Sequence, residues 1–346
     1  MRLDRLVIIL LLCIILYFLN KSLSSYEGFA SLKQKGASEH GALPLAPANK
    51  VRMQSSHENI KNKISQPTIT NFNLHKISSN HFYDNLYTLE KEYLNKSFPM
   101  KKKYKSVIPL HIYQTWSSKQ LPEKMAICVK SLKEDNPEFE HHLYDDQECR
   151  QFIKENYDET VLGAYDALIP GAYRADLWRY CILYKLGGMY LDIKYRCCNN
   201  FKLIALTEKE HFVNDWNPKT RGEDICLDGG IYNAFMISKA KNPIIKKCID
   251  RVVQNVHNNY YGPNSLSPTG PFMMRDFFTP DEREAFELNH YARNGEVCIR
   301  YKLYKILEMY PQYRNEQKKN SQFKHYGLLW RKRAIYALAN EHYSTK

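Results

Sequence analysis

Residues 171–195 read GAYRADLWRYCILYKLGGMYLDIKY, and the stretch changes character in the middle. From Ala172 to Leu186, the apolar residues Leu177, Ile182, Leu183 and Leu186 recur near a 3.6-residue period with no Pro or Gly, which predicts a helix. Gly187-Gly188 ends it, because Gly accepts the left-handed cap conformation. Met189 to Ile193 then predicts a short apolar strand that carries a carboxylate, Asp192. Burying a charge is costly unless a cation or hydrogen-bond donors meet it. Its natural place is the carboxyl end of a sheet strand, where open α/β folds bind ligands. Asp176 and Arg179, three residues apart, share one helix face and reach the same cleft if helix and strand pack together. The plainer alternative is a surface ion pair at 176 and 179 and an ordinary strand-end residue at 192.

Working outward, Val107 to Tyr113 predicts a first strand followed by Gln114-Thr115-Trp116. Pro122 to Asn136 predicts a helix that stops before Pro137. Phe139 to Tyr144 predicts a second strand, with Asp145-Asp146 opening the next helix, where the dipole favours carboxylates. His141 and His142 point to opposite strand faces and cannot jointly chelate a metal. Helical segments 147–157 and 159–168 lead to Pro170-Gly171. After Asp192, Phe201 to Leu206 and His211 to Val213 are candidate strands or edges, and one of Asp215, Asp224 and Asp228 is a candidate ligand contact. Within Ile231 to Ser238, Asn233 is either a ligand contact or a turn or cap residue. Asn242-Pro243 opens a helix over 243–257. Ser267-Pro268-Thr269-Gly270-Pro271 either brings backbone N–H groups to a ligand or is a helix-opening turn with Pro271 at the first helical position.

The run RADLWRYCILYKLGGMYLDIKY resembles the core motif of glycosyltransferase family 32, the group of the initiating α-1,6-mannosyltransferases. That pattern is Ala/Ser-Asp, two residues, Arg-Tyr, then Gly-Gly-x-Tyr-x-Asp-x-Asp. Ala175, Asp176, Arg179, Tyr180, Gly187, Gly188, Tyr190 and Asp192 match; Lys194 replaces the second Asp. Ile108-Pro109, Gln114-Thr115-Trp116, the Asn-Ala-Phe at 233–235, Thr269-Gly270-Pro271 and His325 near Trp330 are similar to further family motifs. The resemblance implies a single GT-A, Rossmann-like α/β catalytic domain that moves a hexose from a GDP- or UDP-linked donor to a glycan, lipid or protein acceptor, with retention of configuration. It implies donor binding by Trp116 (against the base), Asp176, Arg179, Tyr190, Thr269 and Gly270. Asp192, Lys194, Asp176 and Arg179 would be the catalytic group, with Mn²⁺ or Mg²⁺ held by Asp192 and His325. Lys194 opens three outcomes: a metal still held by Asp192 with His325 or another carboxylate, a lysine that replaces the metal at the diphosphate, or an inactive sugar-binding or structural membrane protein.

The 346 residues are 44% hydrophobic, enough for a substantial core. Formal net charge is +13, yet residues 1–105 carry 16 Lys/Arg against 7 Asp/Glu, so +9 of it lies outside the expected catalytic part. No zinc-finger, RNA-recognition or helix-turn-helix pattern is present, and a nucleic-acid partner is not expected. The 26 Tyr, with abundant Lys, Asn and Ile, suit an A/T-rich coding genome such as a protist's or a large DNA virus's. Residues 1–5 read as a cytoplasmic tail and 6–20 as an uncleaved signal anchor, although the unbroken apolar run of 14 is short against a bilayer core of about 30 Å. Residues 21–105 read as a partly disordered stem, and 106–346 as the catalytic domain. That layout is a single-pass type II protein of a Golgi, ER-like or viral membrane with a lumenal domain, in which Asn95-Lys96-Ser97 is a glycosylation sequon. Eight of the nine Cys lie beyond the apolar run and allow either disulfides or buried thiols.

Overall fold

The computed structural model describes residues 93–215, 229–293, 296–320 and 324–337. The anchor at 6–20, most of the stem, Asp224 and Asp228 lie outside these described residues. Among the described residues no helix is long and apolar enough to cross a membrane.

The first half alternates strand and helix: β1 (His111–Thr115), α1 (Glu123–Asp135), β2 (Glu140–Tyr144), α2 (Asp146–Asn156), α3 (Glu159–Ala167), α4 (Gly171–Leu186) and β3 (Gly188–Leu191). Three short strands follow, β4 (Tyr195–Cys197), β5 (Val213–Asp215) and β6 (Phe235–Ser238), then helices α5 (Pro243–His257), α6 (Pro271–Arg275) and α7 (Pro280–Glu284). The meander β7 (Leu288–Arg293), β8 (Glu296–Tyr301) and β9 (Tyr304–Met309) precedes α8 (Tyr313–Asn320) and α9 (Tyr326–Arg331).

Two sheets result. One runs β2-β1-β3-β6, with β2, β1 and β3 parallel and β6 antiparallel; the other runs β4-β9-β8-β7-β5. The chain moves outward from β1 to β2 and then returns across β1 to β3. Strand order therefore reverses beside β1, and the crevice at the carboxyl ends of β1 and β3 is where such sheets take ligands.

Helix α4 is the packing hub. Leu177, Trp178, Tyr180, Cys181, Ile182 and Leu183 are fully buried, so its apolar surface is far wider than one stripe. Each such large side chain contributes about 1.5–3 kcal/mol on burial. A second core joins Ile112, Met189, Leu191 and Phe235 of the first sheet to Ile299 and Leu307 of the second. The Gly187-Gly188 pair does more than cap α4. Both residues have left-handed φ, +67° and +111°, and a Cβ on Gly188 would lie 2.9 Å from the His111 carbonyl oxygen. Close approach of β3 to β1 thus requires glycine there.

Some boundaries differ from expectation. Strand β1 begins at His111, because Val107 and Ile108 give their N–H groups to the Thr207 carbonyl. Residues 203–206 form a 3-10 turn, not a strand; the Asn136 side chain accepts the Leu203 N–H, and Ala205 and Thr207 bond three residues back. Residues 93–105, the end of the stretch read as stem, lie on the domain, with Phe98 against Phe201, Tyr301 and Tyr304. The seven described cysteines are free thiols, five of them buried.

Candidate active site

Strand β3 stops at Leu191, and the chain turns at once. Asp192 gives its N–H to the Ala234 carbonyl and accepts the Tyr195 N–H at 3.1 Å. Asp192 and Lys194 therefore sit in a tight turn at the carboxyl end of β3, so Lys194 folds back on its neighbour. Its ammonium Nζ donates to Asp192 Oδ2 at 2.6 Å. The Tyr190 hydroxyl donates to Asp192 Oδ1 at 2.8 Å, and Arg179 Nη2 lies 3.6 Å from the same oxygen. Burial pushes the Asp192 carboxyl up, but Lys194, then Arg179, and the two hydrogen bonds outweigh it and leave the group below its ordinary value. Burial works against the Lys194 charge, yet Asp192, Tyr232 and Tyr313 raise its pKa on balance, so it stays an ammonium ion. The rings of Tyr195, Tyr232 and Tyr313 surround it, with centres 5.3, 5.4 and 6.0 Å from Nζ.

Helix α4 supplies the second group. Asp176 Oδ2 accepts from Thr269 Oγ1 at 2.7 Å, and Oδ1 accepts from Asn233 Nδ2 at 2.9 Å. Arg179 lies three residues on, with Nη1 3.5 Å from Asp176 Oδ1 and donating to the Asn233 carbonyl at 2.9 Å. Its guanidinium sits 4.3 Å above the Tyr190 ring. Burial raises the Asp176 carboxyl to about 6 although Arg179, Thr269 and Asn233 pull it down. The surface-pair alternative is thereby replaced by a buried chain, Asp176–Arg179–Asp192–Lys194.

This chain lines a cleft of about 860 Å³, within the range of small-molecule sites. Trp116, Asp176, Arg179, Tyr190, Asp192, Lys194 and His325 all border it. Trp116 follows β1, half-buried, on the wall beside β3. Thr269 and Gly270 are fully enclosed behind the wall: Thr269 reaches Asp176, and a Cβ on Gly270 would lie 3.3 Å from Asp176 Oδ2. They position Asp176 and do not themselves border the cleft. His325 caps α9 by accepting the Gly327 N–H and stacks on Tyr326.

A divalent cation at Asp192 does not fit this donor set. Both carboxylate oxygens already face donors, one of them a full positive charge, and a metal ion would be repelled by Lys194 and Arg179 alike. Among the described residues, no group of three metal-competent side chains includes Asp192 or His325. Among the described residues, the expected metal pair thus lacks a third protein ligand, and it meets two cations.

Several bordering residues escaped sequence reasoning. Tyr232 neighbours Asn233 in sequence and stacks on His290, 3.7 Å between ring centres and 2° from parallel; His290 Nδ1 lies 2.7 Å from Asp215 Oδ1. Arg314, Lys318 and Lys324 add positive charge on the opposite rim. No motif marks them, since α8 has an ordinary polar surface pattern.

Residues 122–222 match the family model described as glycosyltransferase sugar-binding region containing DXD motif. Inositol phosphoceramide mannosyltransferase 3 of Schizosaccharomyces pombe is 40% identical over 171 residues, 49% of this chain and 44% of that protein. Inositol phosphoceramide mannosyltransferase 2 of the same yeast is 37% identical over 48% of this chain and 44% of that protein. The initiation-specific alpha-1,6-mannosyltransferase of Candida albicans is 31% identical over 25% of this chain and 24% of that protein. The chain thus spans less than half the length of these relatives. The motif-bearing region, 122–222, is thus similar to glycosyltransferase sugar-binding regions containing a DXD motif.

Proposed function

We propose that this protein is a GT-A-type glycosyltransferase that moves a hexose from a nucleotide-sugar donor to an acceptor hydroxyl, with the Lys194 ammonium in the place other members give to a metal ion. The observation that carries the reading is the pair Asp192–Lys194 at the strand-order reversal, braced from below by Arg179. Names of the relatives favour mannose as the sugar and an inositol phosphoceramide-like lipid as the acceptor. The anchor at 6–20 would hold the domain on the lumenal side of a Golgi, ER-like or viral membrane.

In this scheme the base stacks on Trp116 and the diphosphate lies between Lys194 and the basic rim. The bond between the anomeric carbon and the diphosphate oxygen breaks, and its electron pair stays on that oxygen. Lys194 neutralises the charge that develops, in a setting where aromatic walls exclude water. The acceptor hydroxyl attacks the anomeric carbon and its proton passes to the departing diphosphate, which suits retention of configuration. Asp176, held by Thr269 and Asn233, orients Arg179 and the sugar hydroxyls.

The test is release of nucleoside diphosphate by the full chain from GDP-mannose and a set of UDP-sugars, with a lipid acceptor, in Mn²⁺ and in chelator. Turnover of one donor that survives chelator is the expected result; turnover that needs Mn²⁺ would return the metal role to Asp192. The closed Asp192–Lys194 pair also favours a second reading, a binding protein on a transferase fold, which saturable donor binding without turnover would support.

A further inference from the structure

Away from the cleft, the amino-terminal half of the first sheet carries a cluster that the transfer reaction does not use. In the parallel pairing of β1 with β2, His111 stands opposite Glu140, and Tyr113 opposite His142. The two-residue period of a strand places His111, Glu140 and His142 on one face. It sends His141 to the other, where its Nε2 meets Gln114 Oε1 at 2.7 Å. His111 Nδ1 lies 3.1 Å from His142 Nε2 and 3.4 Å from Glu140 Oε2, and His142 Nε2 lies 3.6 Å from Glu140 Oε1.

We propose that His111, Glu140 and His142 form a binding site for a zinc-class divalent cation that ties β1 to β2. Zinc bonds imidazole nitrogen and carboxylate oxygen at about 2.0–2.2 Å, so adjacent donors of a tetrahedral shell stand about 3.3 Å apart. The separations lie on either side of that value, the two to Glu140 being from different oxygens of its carboxylate, so a small rotation of that exposed side chain brings one oxygen to the shell. Two imidazoles and one carboxylate suit zinc and its late first-row neighbours better than Mg²⁺ or Ca²⁺, which want oxygen donors. The Glu140 side chain is 67% exposed and those of His111 and His142 are 36% and 26% exposed, which leaves an entry path and a fourth position for water. Stacking on Tyr113 fixes both rings, with centres 6.0 Å away for His111 and 5.2 Å for His142. The ion would be structural. Four residues beyond His111, β1 delivers Thr115 to the cleft wall, and β2 leads into Asp146 on the same wall. A clamp between the strands sets the spacing of those walls without touching substrate.

The experiment strips the full chain with chelator, removes the chelator, and titrates Zn²⁺ by calorimetry while following thermal unfolding. Co²⁺ serves as a visible-absorbing substitute. The expected result is one equivalent of bound zinc and a Tm rise of about 5–10 °C at a hundredfold excess over Kd. His111→Ala should lose that equivalent, and Glu140→Gln should weaken it at least tenfold. The glutamine change sits at an exposed position, so the test does not depend on a variant that fails to fold. No zinc uptake by the wild type, or the same uptake in both variants, would overturn the proposal and leave a hydrogen-bonded pair of imidazoles beside a carboxylate.

Discussion

Lys194→Met removes the ammonium and keeps most of the aliphatic stem. At 2.6 Å and an effective dielectric near 20, the attraction lost to Asp192 is about 6 kcal/mol before desolvation is counted. Removing one partner of a buried pair costs about 3–5 kcal/mol in stability. Asp192 keeps Arg179 and the Tyr190 hydroxyl, so the lower end, about 3 kcal/mol, is expected from urea unfolding. The effect on turnover is separate: losing one preorganised charge at the leaving group costs about a hundred- to thousandfold in kcat. The assay is diphosphate release at saturating donor, with unfolding curves on the same preparation to correct for the folded fraction. A companion, Lys194→Asp, places two carboxylates beside each other and should be silent in chelator and partly revived by Mn²⁺. If Lys194→Met turns over like the wild type, or if the wild type already needs Mn²⁺, the assignment of charge neutralisation to Lys194 is refuted.

Four further outcomes follow from the same geometry. With the Asp176 carboxyl raised to about 6 by burial, kcat/KM should fall as pH drops below about 6; a profile flat from pH 5 to 8 would refute it. The sign for stability is opposite: because the folded value lies above the ordinary 3.8, the contribution is fully present below 3.8 and lost as pH rises through 6. Unfolding of Asp176→Asn should therefore show a smaller stability loss between pH 4 and 7 than the wild type, a difference of at most about 3 kcal/mol. Thr269→Val deletes the hydroxyl donor to Asp176 inside a sealed region, so about 1–3 kcal/mol of stability and at least tenfold in kcat should go, while binding of nucleoside diphosphate stays near wild type, as titration calorimetry would show. Gly188→Ala must place a Cβ 2.9 Å from the His111 carbonyl at a φ of +111°, and a loss of about 2 kcal/mol or more should appear in thermal unfolding.

What the sequence made legible is local. Helix α4 was expected from Ala172 to Leu186 and runs Gly171–Leu186; α5 was expected over 243–257 and has those bounds; Pro271 opens α6, the plainer of the two alternatives for that loop. Hydrophobic period and cap chemistry act within one turn of chain, so they survive without tertiary context. The grouping of Asp176, Arg179 and Asp192 was legible only on the condition that helix and strand pack together, with a surface ion pair as the alternative; the contacts of Asp192 with Arg179 meet that condition. The 3-10 turn at 203–206 was not, since a buried Asn136 side chain far back in sequence decides it. Nor was the tyrosine cage of Lys194, which comes from three separated places, 195, 232 and 313. Thr269 was read as a donor contact, and its side chain instead turns inward to Asp176.

The two cation questions meet in one reagent. Chelator would strip a zinc ion from His111, Glu140 and His142 as readily as a manganese ion from the cleft, so loss of activity in chelator does not by itself locate the metal. The geometry separates the cases. A strand clamp acts on the spacing of β1 and β2, so its loss lowers Tm, is reversed by Zn²⁺, and has nothing left to remove in His111→Ala. A cleft cation acts on the leaving diphosphate, so its loss lowers kcat, is reversed by Mn²⁺ and not by Zn²⁺ at the strand clamp, and persists in His111→Ala. Lys194 bonded to Asp192 at 2.6 Å closes that carboxylate to the second pattern, while imidazole and carboxylate donors 3.1–3.6 Å apart supply a site for the first. Measuring Tm and kcat together in chelator, in the wild type and in His111→Ala, therefore decides which charge stands at the sugar diphosphate.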